Sequence, residues 1–351
     1  MRISIFFTLV LVILVTGQNV FAKSKSEKID QIIKHFQNKD LFNGTVLIKD
    51  NGKLIYNNNI GFANIKIKEK ISRNTIFPLC SVTKQFTATG ILILEQENSL
   101  SLDDRIIEYL SETPDCAKEI TLRQLLTHTS GLPDYLWANV PNHNDSILYF
   151  FSNLDSLQSS PGEEYQYCNL GYALCGIVIE RVTDQTYADF MKTKIFDPLE
   201  MKNSFVYERH SEVPNVAMGY DPKWEENKFL MVTGDGGILS TANDLLKWDQ
   251  ALYSNKILTP ASIAKLHTPM ILNNGKKIEY GLGVEITEVS DGKFISHAGS
   301  LAGYGAFIGR NIDNQSTIIL LSNRLLPELI TLLDYLEKIL RDEKFEFPEA
   351  D

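Results

Sequence analysis

The stretch FPLCSVTKQFTATGILILEQ, residues 77–96, decides how this chain is read. From Ser81 onward it is apolar on nearly every side after its first turn, which predicts a helix buried over most of its surface and stopped at Asn98. A serine opening such a helix places its hydroxyl among backbone N–H groups that have no intrahelical partner. Lys84 follows three residues later, on the same face one turn on. A serine hydroxyl is a poor nucleophile without a neighbouring base, and a lysine kept neutral by burial can act as one. Spacing alone says little, because Ser262-Ile-Ala-Lys265 and Ser290-Asp-Gly-Lys293 repeat it. The first follows a helix start explained by Thr259-Pro260, and the second crosses an Asp-Gly turn. Neither opens a buried helix.

Upstream, Gly44 to Lys49 and Lys53 to Tyr56 read as two strands joined at Asp50-Asn51-Gly52, a strong hairpin signal. The Ser/Lys-rich stretch Lys23 to Lys28 reads as a short linker. Downstream, Thr121-Leu-Arg-Gln124 is a capping-box start for a short helix to Thr127. Cys168 to Val182 and Tyr187 to Phe196 read as further helices, followed by Thr241 to Leu252 and one opened by Thr259-Pro260. Strand-like runs come at Gly283 to Ile286, Phe294 to His297, Gly305 to Gly309 and Thr317 to Ser322, and an amphipathic helix covers Pro327 to Arg341. Strands from both chain ends with helices between them predict an α/β chain of the α+β type. One antiparallel sheet is built from the two ends and flanked by helices, with an all-helical lobe inserted. The expected lobes are about 28–100 with 235–345, and about 101–234, with a cleft between them as the natural place for a site.

Composition narrows the function classes. Lys+Arg 34 against Asp+Glu 44 gives a formal net charge of -10, which disfavours a nucleic-acid partner. No metal, nucleotide or dinucleotide motif is present, so no cofactor is expected. Arg2, the apolar run Ile3 to Thr16, and Val20-Phe21-Ala22 have the three parts of a secretory signal, cleaved after Ala22. The run is too short for a membrane span, so the mature chain, 23–351, is expected to be exported without a stable anchor. Four cysteines (Cys80, Cys116, Cys168, Cys175) in an exported chain allow disulfides, but a chain this long does not need them. Cys168 and Cys175 lie too far apart along one helix to pair with each other, and free buried thiols are the favoured reading.

Two further clusters carry candidate chemistry. Tyr167-Cys168-Asn169, ahead of a helix, could present a phenol and an amide to a cleft, although Asn169 could equally cap the helix. A second Tyr-x-Asn occurs at Tyr56-Asn57-Asn58, at an expected strand end. His297-Ala298-Gly299 ends a predicted strand before Ser300, where Gly299 would let an extended substrate approach the backbone. His128 reads as a helix-end histidine satisfied by local backbone, and Glu163 and Glu164 as solvated carboxylates in a Pro-Gly turn.

The order of the three clusters resembles the serine β-lactamase and penicillin-binding superfamily, whose signature is S-x-x-K, then Tyr-x-Asn or Ser-x-Asn, then K-T-G or a variant. The flanks FPLCSVTKQFTATGILILEQ, LLTHTSGLPDY, PGEEYQYCNLGYALCG, DPLEM and GDGGILSTANDLLKW are similar to the class C β-lactamase-like branch, which includes D,D-peptidases, D-aminopeptidases and esterases. The resemblance implies an antiparallel sheet flanked by helices plus a helical lobe, and a serine hydrolase acting on an amide, ester or lactam. It implies Ser81 as the acylated nucleophile, with Lys84 and Tyr167 sharing acid and base work. Asn169 would bind the substrate amide, and the backbone N–H groups of Ser81 and Ser300 would form the oxyanion hole. His297 stands where class C β-lactamases usually carry a lysine that helps bind the drug's carboxylate, which lowers the expectation of efficient penicillin hydrolysis. The partner is a small-molecule or peptide substrate, with cell-wall peptide among the candidates. The competing reading is a binding protein of the same fold that acylates without turnover.

Overall fold

The computed structural model describes residues 23–348 apart from 137, 139, 142, 208–212 and 228–232, so the expected signal segment, 1–22, lies outside the described residues. α1 (Lys25–Asn38) starts where a linker was expected. Ser24 caps it, accepting from the Glu27 N–H while Glu27 reaches back to the Ser24 N–H, and Ile29, Ile32, Ile33 and Phe36 bury one face. That capping box and the spacing of the apolar residues overrule the Ser/Lys composition that suggested a linker.

β1 (Gly44–Asp50) and β2 (Lys53–Ile60) form the expected hairpin, with Asn51 at φ 48° and Gly52 at φ 74° in the turn. β2 runs further than expected, so Tyr56-Asn57-Asn58 lies inside a strand rather than at its end. β3 (Phe62–Asn64) and β4 (Glu69–Lys70) pair with each other. β5 (Phe77–Pro78) leads into α2 (Thr83–Gln96), buried from Thr83 to Leu94. The central helices are α3 (Leu122–Leu126), α4 (Asn144–Ser152), α5 (Asn169–Thr183) and α6 (Tyr187–Met191). β6 (Phe205–Val206) and β7 (Ile238–Ser240) join β5 in a three-stranded sheet with β7 in the middle.

α7 (Ala242–Ala251) and α8 (Pro260–Leu266) precede β8 (Glu285–Val289), β9 (Gly292–Leu301), β10 (Tyr304–Asn311) and β11 (Ser316–Ser322), and α9 (Glu328–Leu340) follows. The main sheet is antiparallel throughout, in the order β2-β1-β11-β10-β9-β8. Strands from the two chain ends meet where β1 pairs β11. Both faces of its centre are covered. Val46, Ile48, Ile318 and Leu320 pack with α1 and α9, while Leu47, Ile308, Ile319 and Leu321 face the core around α2. Period-two alternation with both faces apolar explains why these strands read as continuous hydrophobic runs. Among the described residues, no helix is long and apolar enough to cross a membrane.

One buried ion cluster ties this sheet to α7. Asp249 accepts from Lys49 Nζ at 3.3 Å, Arg310 Nε at 2.9 Å and the Thr317 hydroxyl at 3.0 Å, and none of the four is appreciably exposed. Removing the carboxylate strands two buried cations. Asp249→Ala is expected to cost about 3–5 kcal/mol in chemical denaturation, and Asp249→Asn, which keeps the shape and one acceptor, is expected to cost less.

Candidate active site

Ser81 sits in a single 3₁₀ turn, Cys80–Val82, and the regular helix begins two residues later than the sequence suggests. The turn is reached through a non-glycine residue in the left-handed region, Cys80 at φ 50°, a conformation that costs on the order of 1–3 kcal/mol and persists only where surroundings fix it. Here both sides are fixed. The Leu79 N–H donates to the Ile238 carbonyl at 2.9 Å, and the Ile238 N–H donates to Thr83 Oγ1 at 3.1 Å, stitching β7 to the turn. On the other side β9 presses in at Gly299, where a Cβ would fall 2.4 Å from the Leu79 carbonyl oxygen and 2.9 Å from the Ser81 nitrogen. Only glycine lets that strand approach. Burial pushes the Cys80 thiol up to about 12, so the cysteine beside Ser81 stays protonated.

Lys84, the second residue of α2, is fully buried. Its Nζ lies 3.2 Å from Ser81 Oγ, 2.8 Å from Asn169 Oδ1 and 2.9 Å from the Asp235 carbonyl oxygen. None of these partners is a carboxylate. All three are neutral oxygens that can accept from Nζ, and the serine hydroxyl is the one among them that can also give a proton to it. Asn169 is oriented by Asp134, whose Oδ2 accepts from its side-chain amide at 2.7 Å and from its backbone N–H at 3.0 Å. The Asp235 side chain accepts from the Tyr135 hydroxyl at 3.0 Å and from the Thr233 hydroxyl. Its burial raises the carboxyl above its usual range, opposed by the nearby Lys84 charge.

Tyr167 borders the same space with its ring 38% exposed, and its hydroxyl makes no hydrogen bond to a described residue. The ring is held from behind, with its centroid 4.2 Å from that of His128 and 5.0 Å from Lys84 Nζ. His128 begins a polar chain whose directions are all forced. The Cys168 N–H can only donate, so His128 Nδ1 accepts, at 3.1 Å, and the neutral ring carries its proton on Nε2. That N–H donates to the Tyr280 hydroxyl at 3.1 Å, which donates to His297 Nε2 at 2.9 Å. His297 then carries its proton on Nδ1 and gives it to the Ala298 carbonyl at 2.6 Å. Burial, helped by the Lys84 charge, pulls His297 down to about 3 and His128 well below its usual value, while burial raises the Tyr280 phenol. His128 is therefore satisfied by partners from α5 and from the approach to β8, not by local backbone.

A scan of known families matches residues 29–339 to the β-lactamase family. The chain belongs to the β-lactamase family. A penicillin-binding protein of Bacillus subtilis (strain 168) is 34% identical over 330 residues, spanning 86% of this chain and 72% of that protein. The octameric penicillin-binding protein homologue from Pyrococcus abyssi superposes with a TM-score of 0.80 at 27% identity, covering 90% of this chain and 77% of that one. D-amino acid amidase from Ochrobactrum anthropi SV3, solved with L-phenylalanine amide, gives 0.77 at 24% identity over 91% of this chain and 99% of that one, a likeness of fold.

In this β-lactamase-family chain, Ser81, Tyr167, Asn169, His297, Gly299 and Ser300 border one cleft of about 1,030 Å³, with Lys84 beneath it in contact with Ser81 and Asn169. Glu163 and Glu164 are exposed and do not border it. The other two S-x-x-K pairs build nothing similar: Ser262 is buried in α8, and Lys265 pairs with Glu95 at 2.7 Å. All four cysteines are free. Sequence reasoning missed Asp134, Asp235 and Tyr280. The two acids stand inside the flanks LLTHTSGLPDY and GDGGILSTANDLLKW, whose match to the family was the available signal, whereas Tyr280 had none.

Three histidines depressed by burial, His128, His267 and His297, make stability pH-dependent with a definite sign. Each stays neutral in the folded chain yet binds a proton near 6.5 when unfolded, so the unfolded state takes up more protons below that value. Stability is full above about pH 6.5 and falls on acidification, for His297 down to about pH 3, by up to about 1.4 kcal/mol per pH unit for each histidine. His297→Gln is expected to flatten this slope in urea titrations between pH 7 and pH 5.

Proposed function

We propose that this chain is a serine hydrolase that forms an acyl-enzyme on Ser81, with Lys84 taking the proton from the attacking hydroxyl. The carrying observation is the 3.2 Å contact between Lys84 Nζ and Ser81 Oγ, with both other amine contacts going to neutral acceptors. Between the two candidate bases this geometry favours Lys84, because the Tyr167 hydroxyl touches neither side chain. Ser81 Oγ bonds to the substrate carbonyl carbon as its proton passes to Lys84. The oxyanion is held by the backbone N–H groups of Ser81 and Ser300, and the scissile bond breaks as the leaving nitrogen or oxygen takes up a proton. We assign the relay of that proton to Tyr167, which borders the same cleft and whose ring lies 5.0 Å from Lys84 Nζ. Water then releases the acyl group by the reverse proton path.

The substrate reading is an amide, ester or lactam, with peptides ending in D-amino acids among the candidates. That choice rests on family membership, and placement in the class C-like branch belongs to the same proposal. Export after cleavage near Ala22, to the periplasm or cell exterior where cell-wall peptide lies, fits the signal-like start. Neutral, doubly engaged His297 offers no cation to a substrate carboxylate, which favours esters and amides over penicillins. The second reading, a binding protein of the same fold that acylates without turnover, is favoured by neutral His297 standing where a lysine is usual in the third motif.

Intact-mass analysis after a fluorophosphonate probe is expected to show one adduct, absent in Ser81→Ala. Lys84→Ala is expected to lower p-nitrophenyl acetate turnover about 10²–10⁴-fold. A wild-type chain that takes no adduct from fluorophosphonate or penicillin-type probes would defeat the proposal. An adduct with nitrocefin and no turnover of any ester or amide would select the non-turnover reading.

A further inference from the structure

The cleft at Ser81 does not end at the reacting groups. The same continuous space runs over Ser300 to the start of α9, where Leu301, Phe307, Leu325, Leu329, Ile330 and Leu333 border it. The strand register shows how. Ser300 pairs with Gly305 and Ala298 with Phe307, so these residues share one face of the sheet, and Ala298 and Ser300 are exposed on it. Gly305 lacks a side chain there: a Cβ would meet Leu329 Cδ1 at 2.8 Å and Leu325 Cδ1 at 3.6 Å. Leu329 and Leu325 thus close down onto the strand at Gly305, and the extension is walled on that side by these residues and the first turn of α9. Along this cleft charge is confined to Asp134 and Glu285, neither of them on the α9 side. Ile330 stands 77% exposed at the rim, an apolar side chain left in water beside an apolar trough.

We infer that the trough is a substrate subsite for a linear apolar arm, so that the preferred substrates are esters or amides carrying a medium-length alkyl or acyl chain on the scissile carbonyl group. This rests on the acyl-enzyme reading above, because the trough gains an occupant through being one space with Ser81. Ser81 packs on the Gly299 face of β9 and the α9 residues on its other face. An arm held at Ser81 therefore passes around the strand edge left free beyond the β8 pairing, which takes a chain of several carbons. Once tethered, it gets there without the entropy of a separate encounter. A cleft of about 1,030 Å³ exceeds what a short acyl group fills. A polar peptide arm would instead leave its amides facing Leu325, Leu329 and Leu333 unpaired.

The test is a chain-length series read in two formats. For p-nitrophenyl esters from acetate to octanoate, and for acetate esters of alcohols of matching length, kcat/KM is expected to rise about two- to fourfold per added methylene in one of the two series. Ile330→Asp is expected to flatten that rise, and Ile330→Leu to preserve it. Ile330 lies in the first turn of α9, where an aspartate suits the helix dipole, so the variant keeps its fold. Independently of turnover, the Ser81→Ala chain is expected to bind octanamide at least about tenfold more tightly than butanamide by calorimetry, and to lose that preference with Ile330→Asp. Acetate turnover with flat series in both formats, or a slope that survives Ile330→Asp, overturns the subsite and leaves the acyl-enzyme reading standing. No fluorophosphonate adduct in the wild type would instead defeat the acyl-enzyme reading, and the binding measurement would still judge the trough.

Discussion

The site depends on one fully buried amine. Lys84 has no carboxylate in hydrogen-bonding contact, so the cost of bringing it out of water is met by three fixed oxygens from three parts of the chain. Ser81 comes from its own helix start, Asn169 from the start of α5, and Asp235 from the turn before β7. Each donor of an oxygen is itself held: Asn169 by Asp134, and the Asp235 segment by Tyr135 and by the β5–β7 pairing. A misplaced oxygen would leave a buried N–H unsatisfied, and that penalty lets a distant residue such as Asp134 govern the geometry at Ser81. The helix around Lys84 is apolar for the same reason. Water reaching the amine would replace the fixed acceptors with mobile ones.

Strain is the counterpart of this precision. The left-handed Cys80 and the glycine-thin contact with β9 are unfavourable locally, and the surrounding sheet holds them. The two interactions serve different ends. Burial of α2 secures the base, whereas the Cys80 turn and Gly299 bring the Ser81 nitrogen up to the strand carrying Ser300. The second function cannot be had from helix geometry alone, because a regular helix from Ser81 would turn its first N–H groups along the axis and not toward β9.

How much of this was legible depended on the range of the interaction. Alternation and turn chemistry exposed the hairpin at Asn51-Gly52 and the strands at the chain end, since those signals lie within a few residues of each other. The start of α1 was legible too, in Ser24 and Glu27 with Ile29, Ile32, Ile33 and Phe36, but composition at Lys23 to Lys28 masked it. The Ser81–Lys84 pair could be read because helical periodicity fixes residues three apart. The His128 contacts could not, as they join positions far apart in the chain through a tyrosine with no motif of its own. The α9 wall was hidden for another reason. An amphipathic pattern says which face of a helix is apolar, and Ile330 on the flank of that face looks like any scattered surface hydrophobe.

The polar chain from Cys168 to Ala298 explains why a histidine can stand at position 297 without bringing a charge. Its Nδ1 proton is committed to a carbonyl and its Nε2 lone pair to Tyr280, so protonation would require Tyr280 to turn its hydroxyl proton away from His297. The ring is fixed as a neutral wall on which β9 and the helical side of the cleft agree. Because Tyr167 stacks on the other end of that chain, its position and that of His297 are set together. The mouth of the cleft therefore carries fixed shape and little fixed positive charge, and discrimination among substrates falls to the surfaces beyond Ser300.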